Sequence, residues 1–340
     1  MLKPLPENAS TKMEGVAEVA VIIVNYNTAT FALEAVASVL DRTDGRRAEV
    51  HLVDNASTDG DAARIAAEIE LRGWTGRITF YPETENHGFG RGNNVVLDAL
   101  AAREDPPEFV FLLNPDARLE NDAITIMVDF LDAHPQVAVV GAQIRKPQSG
   151  LVSAAFRFPG VASTFAGAVA FGPISRLFSA SAIALHPSQP ESRVDWVSGA
   201  AMMARRSALA DVGNFDPVYF LYYEEVDLMR ALNNSGWEIW HVPSAKVIHA
   251  EGVATGVKSN EAIRRRRPAY WYDSWYYYFH KNHGLGYALS AAFAWLLGAS
   301  VNAMISTLLG RRPAAPLRLF PDLWARVIRP LLGLKACNHD

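Results

Sequence analysis

Cysteine is nearly missing from this chain of 340 residues: Cys337 stands alone, so no intrachain disulfide can form and no thiolate cluster can hold zinc. Excess charge is missing too. The net value of -4 gives no overall pull toward nucleic acid, and any basic surface must be local. Met1 to Ala20 contains no apolar core of the secretory type, so a reducing cytoplasm is the expected setting. The Asn-Ala-Ser triplets at Asn8 and Asn55 are then fortuitous, not glycan acceptors. Between Gly284 and Gly310 charge is absent altogether. No internal repeat is found, and half the residues are hydrophobic against a fifth charged, which excludes broad disorder.

What is present is an alternation of strand and helix patterns. Residues 1–18 read as a loose arm. Val19 to Val24 is a β-branched apolar run suited to a strand buried on both faces. Helix is expected over 30–40, strand over 49–53, helix over 62–71, strand over 78–81, helix over 93–102 and strand over 109–113. One helix and one strand follow between 123 and 140. The stretch 150–190 shows no period and is expected to be a mobile loop region, with regular pattern resuming over 194–249. Such spacing implies βαβ units and a mostly parallel sheet flanked by helices, an α/β fold. Ligands bind such sheets beyond the carboxyl ends of the strands. Those ends carry Asn25-Tyr26-Asn27, Asp54-Asn55 and Asn114-Pro115-Asp116.

Each cluster has a chemical and an ordinary reading. Asp54 can accept hydrogen bonds from a pyrimidine or a ribose, but a capped strand-to-helix turn accounts for it equally well. A calcium loop is excluded, because no glutamate closes it. Gly88, Gly90 and Gly92 open a helix with Arg91 and Asn93, where backbone can approach an anion. Their spacing is not that of a dinucleotide fingerprint, which disfavours a nicotinamide cofactor. Asp116 after an apolar strand can ligate a divalent cation, with Mg2+ or Mn2+ suiting oxygen ligands. Glu224, Glu225 and Asp227 pack three carboxylates into four positions; their repulsion raises a pKa and favours general-base work, although a helix start also attracts acids. His249, at a strand end, is by itself more often structural than a ligand.

Taken in order, the pieces resemble family 2 glycosyltransferases of the GT-A fold over roughly residues 19–250. They are Val21-Ile-Ile-Val-Asn-Tyr-Asn27, Val53-Asp-Asn-Ala-Ser-Thr-Asp-Gly60, Asn86-x-Gly-Phe-Gly-x-Gly-Asn-Asn94, Leu113-Asn-Pro-Asp116, Val197-Ser-Gly-Ala200 and Phe215-Asp-x-x-Tyr-Phe-Leu-Tyr-Tyr-Glu-Glu-Val-Asp-Leu228. The likeness is greatest to a rhamnosyltransferase-like branch. It implies a nucleotide-sugar half over 19–118 and an acceptor and catalytic half over 119–255. Beyond it, the charge-free 284–310 stretch and the basic, Trp-containing 317–335 stretch point to a helical, membrane-associating region over 256–340. Asp54 and Asn55, with Asn25, Tyr26 and Asn27, would line the nucleotide pocket, and Gly88, Arg91, Asn93 and Asn114 would lie beside it. Asp116 and His249 would hold the metal, and Trp196, Ser198, Gly199 and Ala200 would border the donor sugar or the acceptor. Glu225 would be the base, with Glu224 or Asp227 as substitutes.

Two departures mark this chain. Asn114 replaces the first carboxylate of the family's Asp-x-Asp motif, and Glu225 stands where Asp is usual. The reaction implied is inverting transfer from a dTDP- or UDP-sugar, dTDP-rhamnose first, to a lipid-linked or glycan hydroxyl at the cytoplasmic face of the inner membrane. Nucleic acid is not an expected partner; a homodimer is compatible. A nucleotidyltransferase would carry a basic glycine-rich loop after the first strand, where Asn25-Tyr26-Asn27-Thr28 stands instead. An inactive sugar-binding subunit is the remaining rival. The charge-free 284–310 stretch is long enough to cross a bilayer, to lie at its surface or to pack as a buried hairpin.

Overall fold

The computed structural model describes residues 17–42, 48–250 and 265–334. Most of the expected N-terminal arm, Arg264 of the arginine run and Cys337 lie outside these residues. The first half alternates as expected: β1 (Val19–Asn25), α1 (Ala29–Leu40), β2 (Ala48–Asp54), α2 (Asp61–Leu71), β3 (Ile78–Pro82), α3 (Gly88–Ala101) and β4 (Phe109–Leu113). These strands pair in parallel in the order β3-β2-β1-β4. Strand geometry sends successive side chains to opposite faces. Val19, Val21 and Ile23 accordingly join α1 and α2 in one core, while Ala20 and Ile22 join α3 in another.

The chain continues through β5 (Ala117–Leu119), α4 (Ala123–Ala133), β6 (Val137–Lys146), β7 (Gly150–Val152), β8 (Ala155–Phe156), α5 (Val161–Val169) and α6 (Gly172–Leu177). Then come β9 (Ser192–Val194), β10 (Trp196–Val197), β11 (Ala201–Arg205), α7 (Arg206–Asp211), α8 (Glu224–Asn234) and β12 (Glu238–His249). β11 inserts antiparallel between β4 and β6, and β12 pairs parallel with β6 and antiparallel with β5. The central sheet is thus mostly parallel with antiparallel members in its second half. The stretch 150–190 is not the featureless loop expected. Its elements are too short to display a period, and apart from β7, which pairs with the end of β6, the main partners of β8 and α5 lie far along the chain.

Helix α9 (Ala269–Leu308) breaks at Gly284, whose φ of 78° is left-handed. The first segment carries the aromatic run. The second turns Ala288, Ala291, Trp295, Gly298 and Asn302 inward. At Gly298 a Cβ would lie 2.6 Å from the carbonyl oxygen of Phe165, so only glycine permits this approach to α5. Asn302 donates to the Val169 carbonyl at the end of α5, 2.8 Å away. On the outer face Phe293, Leu297, Met304 and Leu308 are exposed. By length and composition α9 is apolar enough to cross a membrane, yet one side of it is packed on protein. The closing helical turns, residues 319–331, pack Leu323 and Val327 against Trp275 and Trp295 and leave Phe320 and Trp324 exposed.

Candidate active site

The β1 and β2 ends are knitted together by side chains. Asn25 donates from Nδ2 to Asp54 Oδ1 (2.8 Å) and Asp61 Oδ2 (3.1 Å), and its Oδ1 accepts from Thr28. Asp54, only 1% exposed, accepts from the Ser57 hydroxyl at 2.6 Å. These two residues brace the loops from beneath. Tyr26 is half-buried and Asn27 exposed, so they and Thr58, which Asn27 holds at 2.8 Å through its backbone N–H, form the accessible rim. Asn55 ties this rim to the next turn by donating to the Gly88 carbonyl (2.9 Å) and accepting from the His87 N–H (2.9 Å).

The glycine-rich turn differs from the open cradle expected of it. It is the first turn of α3 itself, and Gly88, Gly90 and Gly92 are all buried. A Cβ on Gly88 would overlap the Phe220 carbonyl, one on Gly90 would press Phe215 at 3.1 Å, and one on Gly92 would meet Val24 at 2.9 Å. The smallness of Gly88 and Gly90 draws the 215–220 loop onto α3, and that of Gly92 seats α3 on β1. Asn93 is buried and turned back on the Phe89 carbonyl (2.9 Å), whereas Arg91 is half-buried, with Nε on the His87 carbonyl (3.0 Å).

Asp116 and His249 are brought together by the β5–β12 pairing, which sets His249 opposite Ala117. The Ala250 N–H donates to the Asp116 carbonyl (3.0 Å), and His249 Nε2 lies 2.9 Å from Asp116 Oδ1. Asn114 Nδ2 comes within 3.4 Å of the same imidazole nitrogen. Among the described residues no group of three acids, histidines or cysteines forms a complete metal cage. The pair nevertheless fits a divalent cation completed by donor oxygens: two neighbouring ligands on an octahedral ion with bonds of about 2.1 Å stand about 3 Å apart. Asn114, a neutral amide, adds no charge to it.

The acid pair opens α8. Both Tyr222 and Tyr223 adopt a φ of 71°, the left-handed region that costs a non-glycine residue about 1 kcal/mol or more each. The strained turn delivers Glu224 and Glu225 at the helix start. Burial and then the charge of Glu225 hold the Glu224 carboxyl well above the usual range; burial likewise raises Glu225. Among the described residues, neither Glu224 Oε2 nor Glu225 Oε2 has a hydrogen-bond partner. Glu224 is only 3% exposed, while Glu225 is half-buried and faces the turn before β11. A Cβ on Gly199 would lie 3.8 Å from that of Glu225 and 3.4 Å from the Phe89 ring. Because the Asn114 N–H donates to the Ala200 carbonyl (2.9 Å), the 198–200 turn links the Asp116 loop to Glu225.

Two expected members are committed elsewhere. Asp227 is buried and receives Lys281 Nζ at 2.5 Å and Asn282 Nδ2 at 2.6 Å. It therefore joins α8 to α9 and is no free substitute for the base. Trp196 stacks on Phe156 (4.1 Å between centroids), with its indole N–H on the Arg157 carbonyl (2.9 Å). Sequence reasoning also missed a clamp. Tyr270, Trp271, Tyr277 and Tyr278 pack on Phe220, Tyr222, Tyr223 and Tyr219, and Ser274 donates to the Leu221 carbonyl (3.0 Å). The signal was there in two aromatic runs about 50 residues apart.

Residues 20–161 match the family model described as Glycosyl transferase family 2. The N-acetylglucosaminyl-diphospho-decaprenol L-rhamnosyltransferase of Mycobacterium tuberculosis (strain ATCC 25618 / H37Rv) is 30% identical over 244 residues, which cover 69% of this chain and 77% of that protein. Rhamnosyltransferase WbbL of Escherichia coli (strain K12) is 25% identical over 165 residues, 48% of this chain and 61% of that one. Among solved structures, the mannosyltransferase PcManGT from Pyrobaculum calidifontis, in complex with GDP-Man and Mn2+, superposes with a TM-score of 0.53 at 20% identity. The match covers 93% of this chain and 82% of that chain, a likeness of fold.

Proposed function

The chain belongs to glycosyl transferase family 2 and is a glycosyltransferase, and from that premise we propose that it inverts a sugar, L-rhamnose foremost, from a dTDP-sugar onto a lipid-linked acceptor. The observation that carries the mechanism is the convergence of Glu225, the 198–200 turn and the Asp116–His249 pair at one end of the sheet. Glu225 takes the proton of the acceptor hydroxyl as that oxygen attacks the anomeric carbon. Its raised pKa makes it a better base than an ordinary carboxylate, and burial keeps water from competing. Glu224, more deeply buried, carries the proton that the pair shares and leaves Glu225 ionised.

Asp116 and His249 would hold a Mg2+ or Mn2+ ion, which when bound offsets the charge gathering on the departing diphosphate. The likeness to an N-acetylglucosaminyl-diphospho-decaprenol L-rhamnosyltransferase supports rhamnose as the sugar and a diphospho-polyprenyl-linked acceptor. The exposed apolar face of α9, with Phe320 and Trp324 beside it, supports contact with the cytoplasmic membrane surface where such an acceptor resides. The test is nucleotide release from dTDP-, UDP- and GDP-sugars with a membrane lipid extract, with Mn2+ or chelator present. Release of dTDP from dTDP-rhamnose that fails in Glu225→Ala is the expected result. Release from a UDP-sugar alone discards rhamnose, and unchanged turnover in Glu225→Ala discards the assigned base.

A further inference from the structure

Between α5, the first segment of α9 and residues 314–316 the fold leaves a cavity of about 260 Å³. Tyr223, Trp271, Trp275 and Trp295 wall it, and among the described residues Arg267 is the one charged side chain that lines it. Its guanidinium stands 3.8 Å from the centroid of Trp271 and 5.5 Å from that of Trp295. The neighbouring Arg266 is neutralised by both oxygens of Asp322, at 2.8 and 2.7 Å. Arg267 has no carboxylate partner among the described residues: neutral Tyr222, Tyr223 and Tyr272 surround it, and burial lowers its pKa. A half-buried guanidinium resting on aromatic rings presents its N–H fork to an anion, and phosphate is the group that fork fits best.

The cavity is not remote from the chemistry. Tyr223 forms its wall and also precedes Glu224, so a ligand seated there is one residue from the acid pair. The rest of the lining is mostly apolar, as at Ala168, Ile183, Ala299 and Leu319, and its two hydroxyls, on Ser163 and Thr164, donate to the Gly160 carbonyl, which leaves surface suited to hydrocarbon. The exposed apolar face on the same α9 continues that character outward. We propose that this cavity binds the diphosphate and first isoprene unit of a polyprenyl diphosphate-linked acceptor, with Arg267 on the phosphate. The inference rests on the lipid-linked acceptor proposed above and assigns it a seat. Anchoring there holds the acceptor sugar at Glu225 and makes the C-terminal helices part of acceptor recognition.

Three of the chain's eight tryptophans line the cavity, so intrinsic fluorescence reports its occupancy. The full chain in detergent is titrated with farnesyl diphosphate, farnesol and inorganic pyrophosphate. Farnesyl diphosphate is expected to quench saturably, at least tenfold more tightly than either of the others. Arg267→Gln is expected to weaken it about tenfold. So is Gly167→Leu, which fills the cavity from a helical position where a Cβ meets nothing within 4 Å and thus decides the matter if Arg267→Gln fails to fold. In steady state both variants raise the acceptor KM more than they lower kcat. Equal response to farnesol removes the anion site, and equal response to pyrophosphate removes the lipid. Wild-type affinity in Gly167→Leu overturns the location. Wild-type release of nucleotide is scored separately. Its failure with farnesyl diphosphate still bound sinks the transferase reading alone, and normal release with no farnesyl diphosphate binding sinks the cavity alone.

Discussion

Replacing Lys281 by methionine removes one cation that two carboxylates share. Its Nζ lies 2.5 Å from Asp227 and 2.7 Å from Asp216. An ion pair at such range is worth about 6 kcal/mol at an effective dielectric of about 20. Lys281 is 37% exposed, however, and solvent screens much of that attraction. What persists is the cost of stranding the Asp227 carboxylate, 4% exposed, with Asn282 alone: about 1–3 kcal/mol. For a chain of this size that corresponds to a Tm lowered by about 1.5–4 °C. Asp227 lies two residues past Glu225 on α8, so its release also lowers kcat, between about tenfold and a hundredfold.

The pH dependence follows from the signs. Burial opposes ionisation of Asp216, but its hydrogen bonds from Lys281, the Val218 N–H and Tyr277 outweigh that and depress its pKa below the ordinary 3.8. A depressed acid contributes stability above its unfolded value and loses it as pH falls through the folded one. Burial lowers the Lys281 pKa and the two carboxylates more than restore it, to above 10.5. The difference between wild type and Lys281→Met is therefore full between about pH 4 and pH 10 and closes on acidification. Calorimetry at pH 7 and pH 3, with kcat at pH 7, measures it. Superimposable melts at pH 7, or an undiminished gap at pH 3, refute the reasoning.

Glu224→Gln should melt above wild type at pH 8 and level with it near pH 4, because a buried acid of raised pKa loses stability as pH rises through its folded value. Thermal denaturation across that range checks it. Asp116→Asn and His249→Gln should each raise the Mn2+ concentration for half-maximal turnover by about tenfold or more, read from kcat/KM against free Mn2+. Gly88→Ala should abolish soluble, folded protein, since its left-handed Cβ meets the Phe220 carbonyl. Gly76→Ala, at a φ of 82° but in open space, should cost only about 1–2 kcal/mol by chemical denaturation.

Strands β1, β2 and β4 were legible because both of their faces are buried, which leaves mostly apolar runs, and the half-exposed β3 was legible from its short Ile-Thr-Phe-Tyr segment. The positions of Asp116 and Glu225 were legible because each sits at the end of an element whose boundary is marked in sequence. The role of the glycine-rich turn was not, because the atoms that Gly88 and Gly90 accommodate, on Phe220 and Phe215, are more than 120 residues away. Nor was the fate of Asp227: nothing near it in the chain announces that Lys281 will arrive beside it. Residues 150–190 escaped for the same reason, since α5 is nine residues of small and apolar side chains whose order comes from Gly298 and Asn302.

The left-handed pair Tyr222–Tyr223 stands upright only because rings from residues 270–278 lean on it. The family match over residues 20–161 ends well before either partner of that contact. Trimming the protein after β12 to obtain a soluble catalytic core would thus discard the splint while keeping the limb. Such a fragment would retain the loops around the nucleotide rim and let the turn before Glu224 relax toward right-handed backbone. The smallest unit that keeps this turn braced includes the first segment of α9.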